Sequence, residues 1–299
     1  MNGTTTAQLT EKTAKAVTGS IEEWTGFLQS AARLYKYSYP EQLLIYAQRP
    51  DATACASYEI WNQTMRRYVR RGARGIALPD GAGAVRYVFD VADTGARKSS
   101  REVKTWALDE NNREAVAHAL ETQYSSAAKL GIAGQLEEIA MQQSMDYWQW
   151  HQDELRGIVD GSFLEGYDEL NLEIAFRNTA AASVKYMLLS RCNLAREYQI
   201  EPEELAGVLE WNTSAASGAL GSAVSELSEG VLRQIERTIR QYERSQNHDE
   251  RTDVYEERRV LDSRPDSSRT ADGAEQIRTD AGMVSEGASD DQLQQPAPE

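Results

Sequence analysis

Histidine and cysteine are scarce in this chain of 299 residues, at three and two. His118, His151 and His248 lie far apart, and none belongs to a His-Glu-x-x-His pair. Cys55 and Cys192 form no Cys-x-x-Cys. A zinc site needs three or four ligands, and no local pair offers a start. Two cysteines cannot build a disulfide framework; they read as buried thiols of a reducing compartment, the cytoplasm. A Walker A sequence is also missing. No run of about 18 apolar residues occurs, so no membrane-crossing helix is expected. The N-terminal stretch MNGTTTAQLTEKTAKAV has no apolar segment of signal-peptide type, so export is not expected. Acids are plentiful, but runs such as Glu201, Glu203 and Glu204 read as a solvated helix face. Together these absences predict a nonenzymatic protein with no metal and no cofactor.

Charge is what the chain does have, and it is unevenly placed. The net charge is -15. Residues 31–104 nevertheless carry 13 Lys/Arg against seven acids, whereas 105–245 carry 11 against 23 and 246–299 six against 14. A basic stretch thus precedes an acidic one and an acidic tail. The local field, not the overall charge, decides whether a polyanion can bind.

The pattern along the chain predicts an α+β fold. Residues 1–19 read as a flexible N-terminus. Ser20 with Glu23 forms a capping box, and Trp24, Phe27, Leu28, Ala31 and Tyr35 follow at helical spacing. Pro40 opens a second helix with Leu43, Leu44 and Ala47 inward, and Pro50 stops it. Ser57 is expected to cap a short third helix through Trp61. Residues 66–91 read as strands of a small antiparallel sheet, broken by the turn Pro79–Gly83. Val85, Tyr87, Phe89 and Val91 alternate with Arg86 and Asp90, as in a half-buried strand. Residues 103–108 could add an edge strand after a polar loop. Helices are expected at about 112–124, 129–160, 170–192, 202–210 and 222–244. From 246 the apolar content collapses, and an acidic, disordered tail is expected. The domains so predicted are 20–110, 111–245 and the tail 246–299.

One stretch stands out. WNQTMRRYVRRGARGI, Trp61–Ile76, holds Arg66, Arg67, Arg70, Arg71 and Arg74 and no acid. In an extended segment Arg66, Tyr68 and Arg70 point one way, and Arg67, Val69 and Arg71 the other. Gly72 and Gly75 read as a turn that lets backbone approach a phosphate closely. Aromatic residues are plentiful nearby. A positive groove with stacking rings is the mix that holds single-stranded nucleic acid without reading its sequence. The expected contacts are the five arginines, Gly72 and Gly75, with Lys36 and Arg49 extending the track. Tyr37, Tyr39 and Tyr68 are the expected stacking rings. Trp61 reads as core. In the rival reading the chain is a protein-interaction scaffold, docking a DNA-processing enzyme through the basic sheet or the acidic helical region.

Phe27–Leu78 also resembles the N-terminal domain of ArdC-type antirestriction proteins. The matching features are a helix ending in Lys36-Tyr37-Ser38, the run QLLIYAQ at 42–48, Ala52-Thr53, Trp61, and Val69-x-x-Gly72-x-x-Gly75-Ile76. It is most similar to the version that opens large proteins of conjugative and phage-like elements in Firmicutes, where helicase-like or methylase-like modules follow. FRNTAAASVKYMLLSRC, from Phe176, and LGSAVSELSEGVLRQIERTIR, from Leu220, resemble a second block of those proteins. The resemblance implies single-stranded DNA binding in the service of a mobile element, with antirestriction as the family's theme. It implies no protease activity here, because His-Glu-x-x-His is missing. Pro40-Glu41 also departs from the family pattern, which has Asn before Gln.

Overall fold

A computed structural model describes residues 3–262 apart from 82, 196, 197 and 199, with side chains described to residue 246. Helices α1 (Gly3–Val17), α2 (Ile21–Arg33) and α3 (Tyr39–Gln48) come first. Five short strands follow: β1 (Cys55–Ser57), β2 (Tyr68–Val69), β3 (Ile76–Pro79), β4 (Val85–Asp90) and β5 (Thr94–Gly95). Helices α4 (Arg113–Tyr124), α5 (Gly131–Ile158), α6 (Glu169–Arg191) and α7 (Ser214–Asp262) complete the order, with a short tight helix at Pro202–Glu210. The fold is α+β, with a small antiparallel sheet in the N-terminal part and helices after it.

Helix starts obey local chemistry. Ser20 Oγ accepts from Glu23 N at 3.1 Å. Asp168 Oδ1 accepts from Asn171 N at 2.8 Å, satisfying a backbone donor that the first turn of α6 would leave open. The short third helix expected after Ser57 is present, wide over Ile60–Thr64: Ser57 Oγ accepts from Ile60 N at 3.4 Å, and Met65 N donates to Ile60 O at 2.9 Å.

Three antiparallel strands pair in the order β1-β4-β3, with Ala56 opposite Phe89 and Ile76 opposite Val88. β2 and β5 form a separate two-stranded ribbon, with Tyr68 opposite Gly95. Residues 103–108 form no strand; Trp106 is buried there instead. β4 also buries the face opposite to the one its apolar residues suggest. Val88 and Asp90 are buried, while Tyr87 is exposed. Asp90 can be inside because its carboxylate accepts from the backbone N–H of Thr53, Ala54 and Ala92 at 2.7–3.0 Å. A buried carboxylate so bonded has its desolvation offset.

The segment 1–19, expected to be flexible, is instead mostly helix α1, with Thr6, Thr13, Ala14 and Val17 buried and α3 alongside. Its buried face is mostly threonine and alanine, with Val17 and the partly buried Leu9 its larger apolar residues, so it carries little apolar signal. Helix α7 begins earlier and ends later than expected, running Ser214–Asp262. The expected disorder from 246 therefore meets helix as far as Asp262, and residues 263–299 lie outside the described residues.

Met1–Asp249 form one compact unit; Glu250–Glu299 form a second, helical from its start to Asp262. Within the first, the boundary expected at 110 does not divide the packing. One core joins Trp24, Phe27 and Tyr35 to Trp148, Phe176, Trp211 and Ile239. Trp24 Nε1 donates to Ser183 Oγ at 3.0 Å. Tyr35 OH donates to Glu236 Oε2 at 2.5 Å and accepts from Trp106 Nε1 at 3.0 Å. A smaller core of Leu34, Leu44, Ile45, Ile76, Leu78 and Val88 lies between α3 and the sheet.

Glu236 anchors α7 to the N-terminal helices. Burial would raise its pKa, but bonds from Lys36, Tyr35 and Arg240 outweigh that and hold it at about 2. Because the folded value lies below the unfolded one, its contribution is present above about pH 4.5 and fades as pH falls toward 2. Replacing Glu236 with Gln is expected to cost about 2 kcal/mol at pH 7, less than a deeply buried pair because Lys36 and Arg240 are partly solvated. The difference from the parent protein should shrink in denaturant titrations run between pH 4.5 and pH 2.5.

Candidate nucleic-acid interface

The arginine run is held in shape by backbone bonds, which leaves its side chains free. Arg66 has φ 55°, a left-handed conformation uncommon outside glycine. It is fixed there from three directions. Ser100 Oγ donates to Arg66 O at 2.7 Å, Arg67 N to Trp61 O at 2.8 Å, and Arg101 N to Met65 O at 2.9 Å. After β2, Arg70 N donates to Asp93 O, and Ala73 N closes a turn on Arg70 O at 3.1 Å. Gly72 sits in that turn at φ 87°, where a side chain would be strained. Gly75 faces the rings of Tyr87 and Phe89, and a Cβ there would come within 3.0–3.2 Å of them.

Arg66, Arg70, Arg71 and Arg74 are exposed, and Arg67 is half-buried with Nε donating to Thr94 Oγ1 at 2.8 Å. None of the five has an ion pair among the described residues. Arg66, Tyr68 and Arg70 face solvent while Arg67 and Val69 turn inward, but Arg71, expected in the same row as Arg67, is exposed because β2 ends at Val69.

β5 brings a second set of cations beside the first. Arg97, Lys98 and Arg101 follow it, and Arg97 lies over the Tyr68 ring at 5.6 Å from the centroid. Residues 65–101 hold nine cations against three acids. Of those acids, Asp90 is buried and fully bonded, and Asp93 pairs with Arg49 at 2.5 Å. The sequence did offer a signal in the run Arg97-Lys98-Ser-Ser-Arg101, but only the β2–β5 pairing places it against the arginines. Tyr68 and Tyr87 are 41% and 45% exposed; Tyr68 lies against Gly95 with Arg97 over its ring, and Tyr87 lies against Gly75.

Four expected contacts lie elsewhere. Lys36 pairs with Glu236 at 2.6 Å, and Arg49 pairs with Asp93 and Asp51, so both cations are spent inside the fold. Tyr37 is half-buried against the small core and donates its hydroxyl to Cys55 O at 2.8 Å. Tyr39 is buried edge-on against Phe27, 5.6 Å between ring centres, and no base could reach it. Its hydroxyl has no hydrogen-bond partner among the described residues. Tyr39→Phe is therefore expected to leave oligonucleotide affinity unchanged and to raise stability by about 1 kcal/mol, read by thermal unfolding. Trp61, read as core, is buried and donates Nε1 to Phe89 O at 2.8 Å.

Burial pushes both the Cys55 and Cys192 thiols up to about 12, far from the thiolate form a nucleophile needs. Among the described residues, no three of His, Cys, Asp or Glu cluster to hold a metal ion. No helix among them is long and apolar enough to cross a membrane. What this surface offers chemically is phosphate neutralisation by guanidinium forks beside two partly exposed rings. Comparison of the chain with protein-family models, with curated proteins and with solved structures yields no match to any of them.

Proposed function

We propose that the chain is a nonenzymatic, single-stranded DNA-binding protein that engages the strand along the β2–β5 ribbon. The observation that supports this most directly is the density of unpaired guanidinium on that ribbon. Arg66, Arg70, Arg71 and Arg74 face solvent without a carboxylate partner among the described residues, and Tyr68 and Tyr87 are partly exposed beside them. Guanidinium groups kept only for folding would be expected to find the acids that Lys36, Arg49 and Arg86 find. A duplex hides its base faces, so exposed rings favour a single strand. The resemblance to the ArdC-type N-terminal domain points the same way and suggests a role in a mobile element, and the scarce cysteines suit the cytoplasm. There the chain would shelter a transferred strand or hand it to a helicase-like or methylase-like partner, with antirestriction as one outcome.

Fluorescence anisotropy of the full chain with single- and double-stranded oligonucleotides tests this reading. Tyr68→Ala and Tyr87→Ala should each weaken single-strand binding by about 1–3 kcal/mol, roughly 5- to 150-fold. A flat response on every oligonucleotide would end the proposal.

The scaffold reading keeps one observation of its own. Trp150, Phe163 and Leu170 are 84%, 69% and 64% exposed on the helical part. Capture of a partner enzyme that survives loss of the ribbon arginines but not Trp150→Ser with Phe163→Ser would favour it.

A further inference from the structure

A cleft of about 710 Å³ opens between the end of α2, the C-terminal end of α6 and residue 105. Arg33, Thr53, Thr105, Ser190, Arg191 and Asn193 line it, and among the described residues no acid does. A smaller cleft of about 180 Å³ shares Arg33, Thr53, Thr105 and Arg191 as walls and adds Lys36, Lys104 and Arg240. Its one acid, Glu236, is already bonded to Lys36 and Arg240.

Both arginines of the larger cleft are held by backbone carbonyls rather than carboxylates. Arg33 Nε donates to Ala52 O at 3.0 Å and Nη2 to Pro50 O at 2.9 Å. Arg191 Nη2 donates to Trp106 O at 3.0 Å, and its guanidinium stacks on the Trp106 ring, 3.5 Å from the centroid. Neither has an ion pair among the described residues. The nearby acids are committed elsewhere: Asp90 to backbone N–H groups and Asp51 to Arg49. Burial lowers the pKa of Arg191, the direction expected of a cation short of compensation. Carbonyl bonds fix each fork in place and leave Nη1 on either without a hydrogen-bond partner among the described residues. A pre-set pair of guanidinium groups, with hydroxyls from Thr53, Thr105 and Ser190 around it, matches a dianionic phosphate in charge and in hydrogen-bonding. The volume falls in the range of about 300–1,000 Å³ typical of small-ligand sites.

We propose that this cleft binds the phosphomonoester group of a nucleotide, either as a free nucleoside monophosphate or as the phosphorylated end of a strand lying on the ribbon. The chain itself links the two places. Arg101 is bonded to Met65 at the ribbon, and Lys104 and Thr105, three and four residues on, line the clefts. The strand-end form rests on the proposed function; the free-nucleotide form does not.

The test uses the full chain with thymidine monophosphate, thymidine, and a dT12 oligonucleotide carrying hydroxyl ends or a phosphate at its 5′ or 3′ end. Calorimetry and anisotropy read the affinities. A phosphorylated dT12 binding about tenfold tighter than the hydroxyl form assigns the site to strand ends. Thymidine monophosphate binding where thymidine does not assigns it to free nucleotide. Ser190→Glu puts a like charge in the cleft without removing an arginine, and it should erase either preference while leaving hydroxyl-ended dT12 unaffected. Replacing the five ribbon arginines with serine should leave thymidine monophosphate binding intact, so failure of the ribbon and failure of the cleft read differently. No preference for phosphate in any arm, or a preference that survives Ser190→Glu, overturns the proposal.

Discussion

Replacing Arg66, Arg67, Arg70, Arg71 and Arg74 together with serine is expected to abolish salt-sensitive binding to a single strand and to leave folding nearly untouched. The expectation follows from how the ribbon is built. Its geometry comes from backbone bonds at Arg66 O, Arg67 N and Arg70 N, which serine keeps. Only the Arg67 bond to Thr94 Oγ1 is lost, a net cost of about 1 kcal/mol. If about four phosphates are neutralised, the single-strand salt slope is about -0.7 × 4, near -3, so a fourfold rise in salt weakens binding by roughly fiftyfold. The serine variant should show neither the affinity nor the slope. Lysine at all five positions should keep most of the slope but lose affinity, because an ammonium cannot fork onto a phosphate. Anisotropy across a salt series reads all three proteins. A serine variant that binds like the parent would mean the strand lies elsewhere; one that fails to fold would mean the arginines are structural.

Phe176→Ala should destabilise the protein by about 3–5 kcal/mol, a large share of the roughly 5–15 kcal/mol that holds a typical domain. Phe176 is fully buried, with the rings of Tyr147, Trp148 and Trp211 each 5.8 Å away. Such a packed site collapses poorly once the ring is gone. The same core contains Trp24 and Phe27 of α2, so unfolding monitored by tryptophan fluorescence and by far-ultraviolet circular dichroism should show one shared transition. Two separable transitions would restore the boundary at 110. A fragment ending near residue 110 would leave Trp24, Phe27 and Tyr35 without their partners from α6 and α7. For that reason binding is best measured on the full chain.

The sequence made the helices legible because apolar spacing and caps are local. Expected spans of 112–124 and 170–192 meet helices at Arg113–Tyr124 and Glu169–Arg191. The basic ribbon was half legible for the same reason: Arg66 to Arg74 lie close together in the chain, whereas Arg97 and Lys98 join them only through the pairing of Tyr68 with Gly95 and Val69 with Thr94. Lys36 and Arg49 read as free cations because the acids that bond them most closely, Glu236 and Asp93, lie 200 and 44 residues further on. Tyr39 read as a surface ring because it sits in a polar turn, yet α3 carries it into the core. The face of β4 was inverted by Asp90, whose burial depends on three backbone donors that no pattern of hydrophobicity reveals. Helix α1 was invisible for a different reason: it packs mostly with threonine and alanine, whose burial leaves no amphipathic stripe of large side chains.

Tyr35 reaches across 201 positions to Glu236, and Trp24 across 159 to Ser183. On the ribosome, at about 5–20 residues per second, the first of these partners would wait some ten to forty seconds for the second to be made. The arginine ribbon is synthesised early in that interval, before any residue of α4 to α7. A nascent chain arrested before α7 would carry every guanidinium of the ribbon and the local backbone bonds that shape it, beside a core not yet closed.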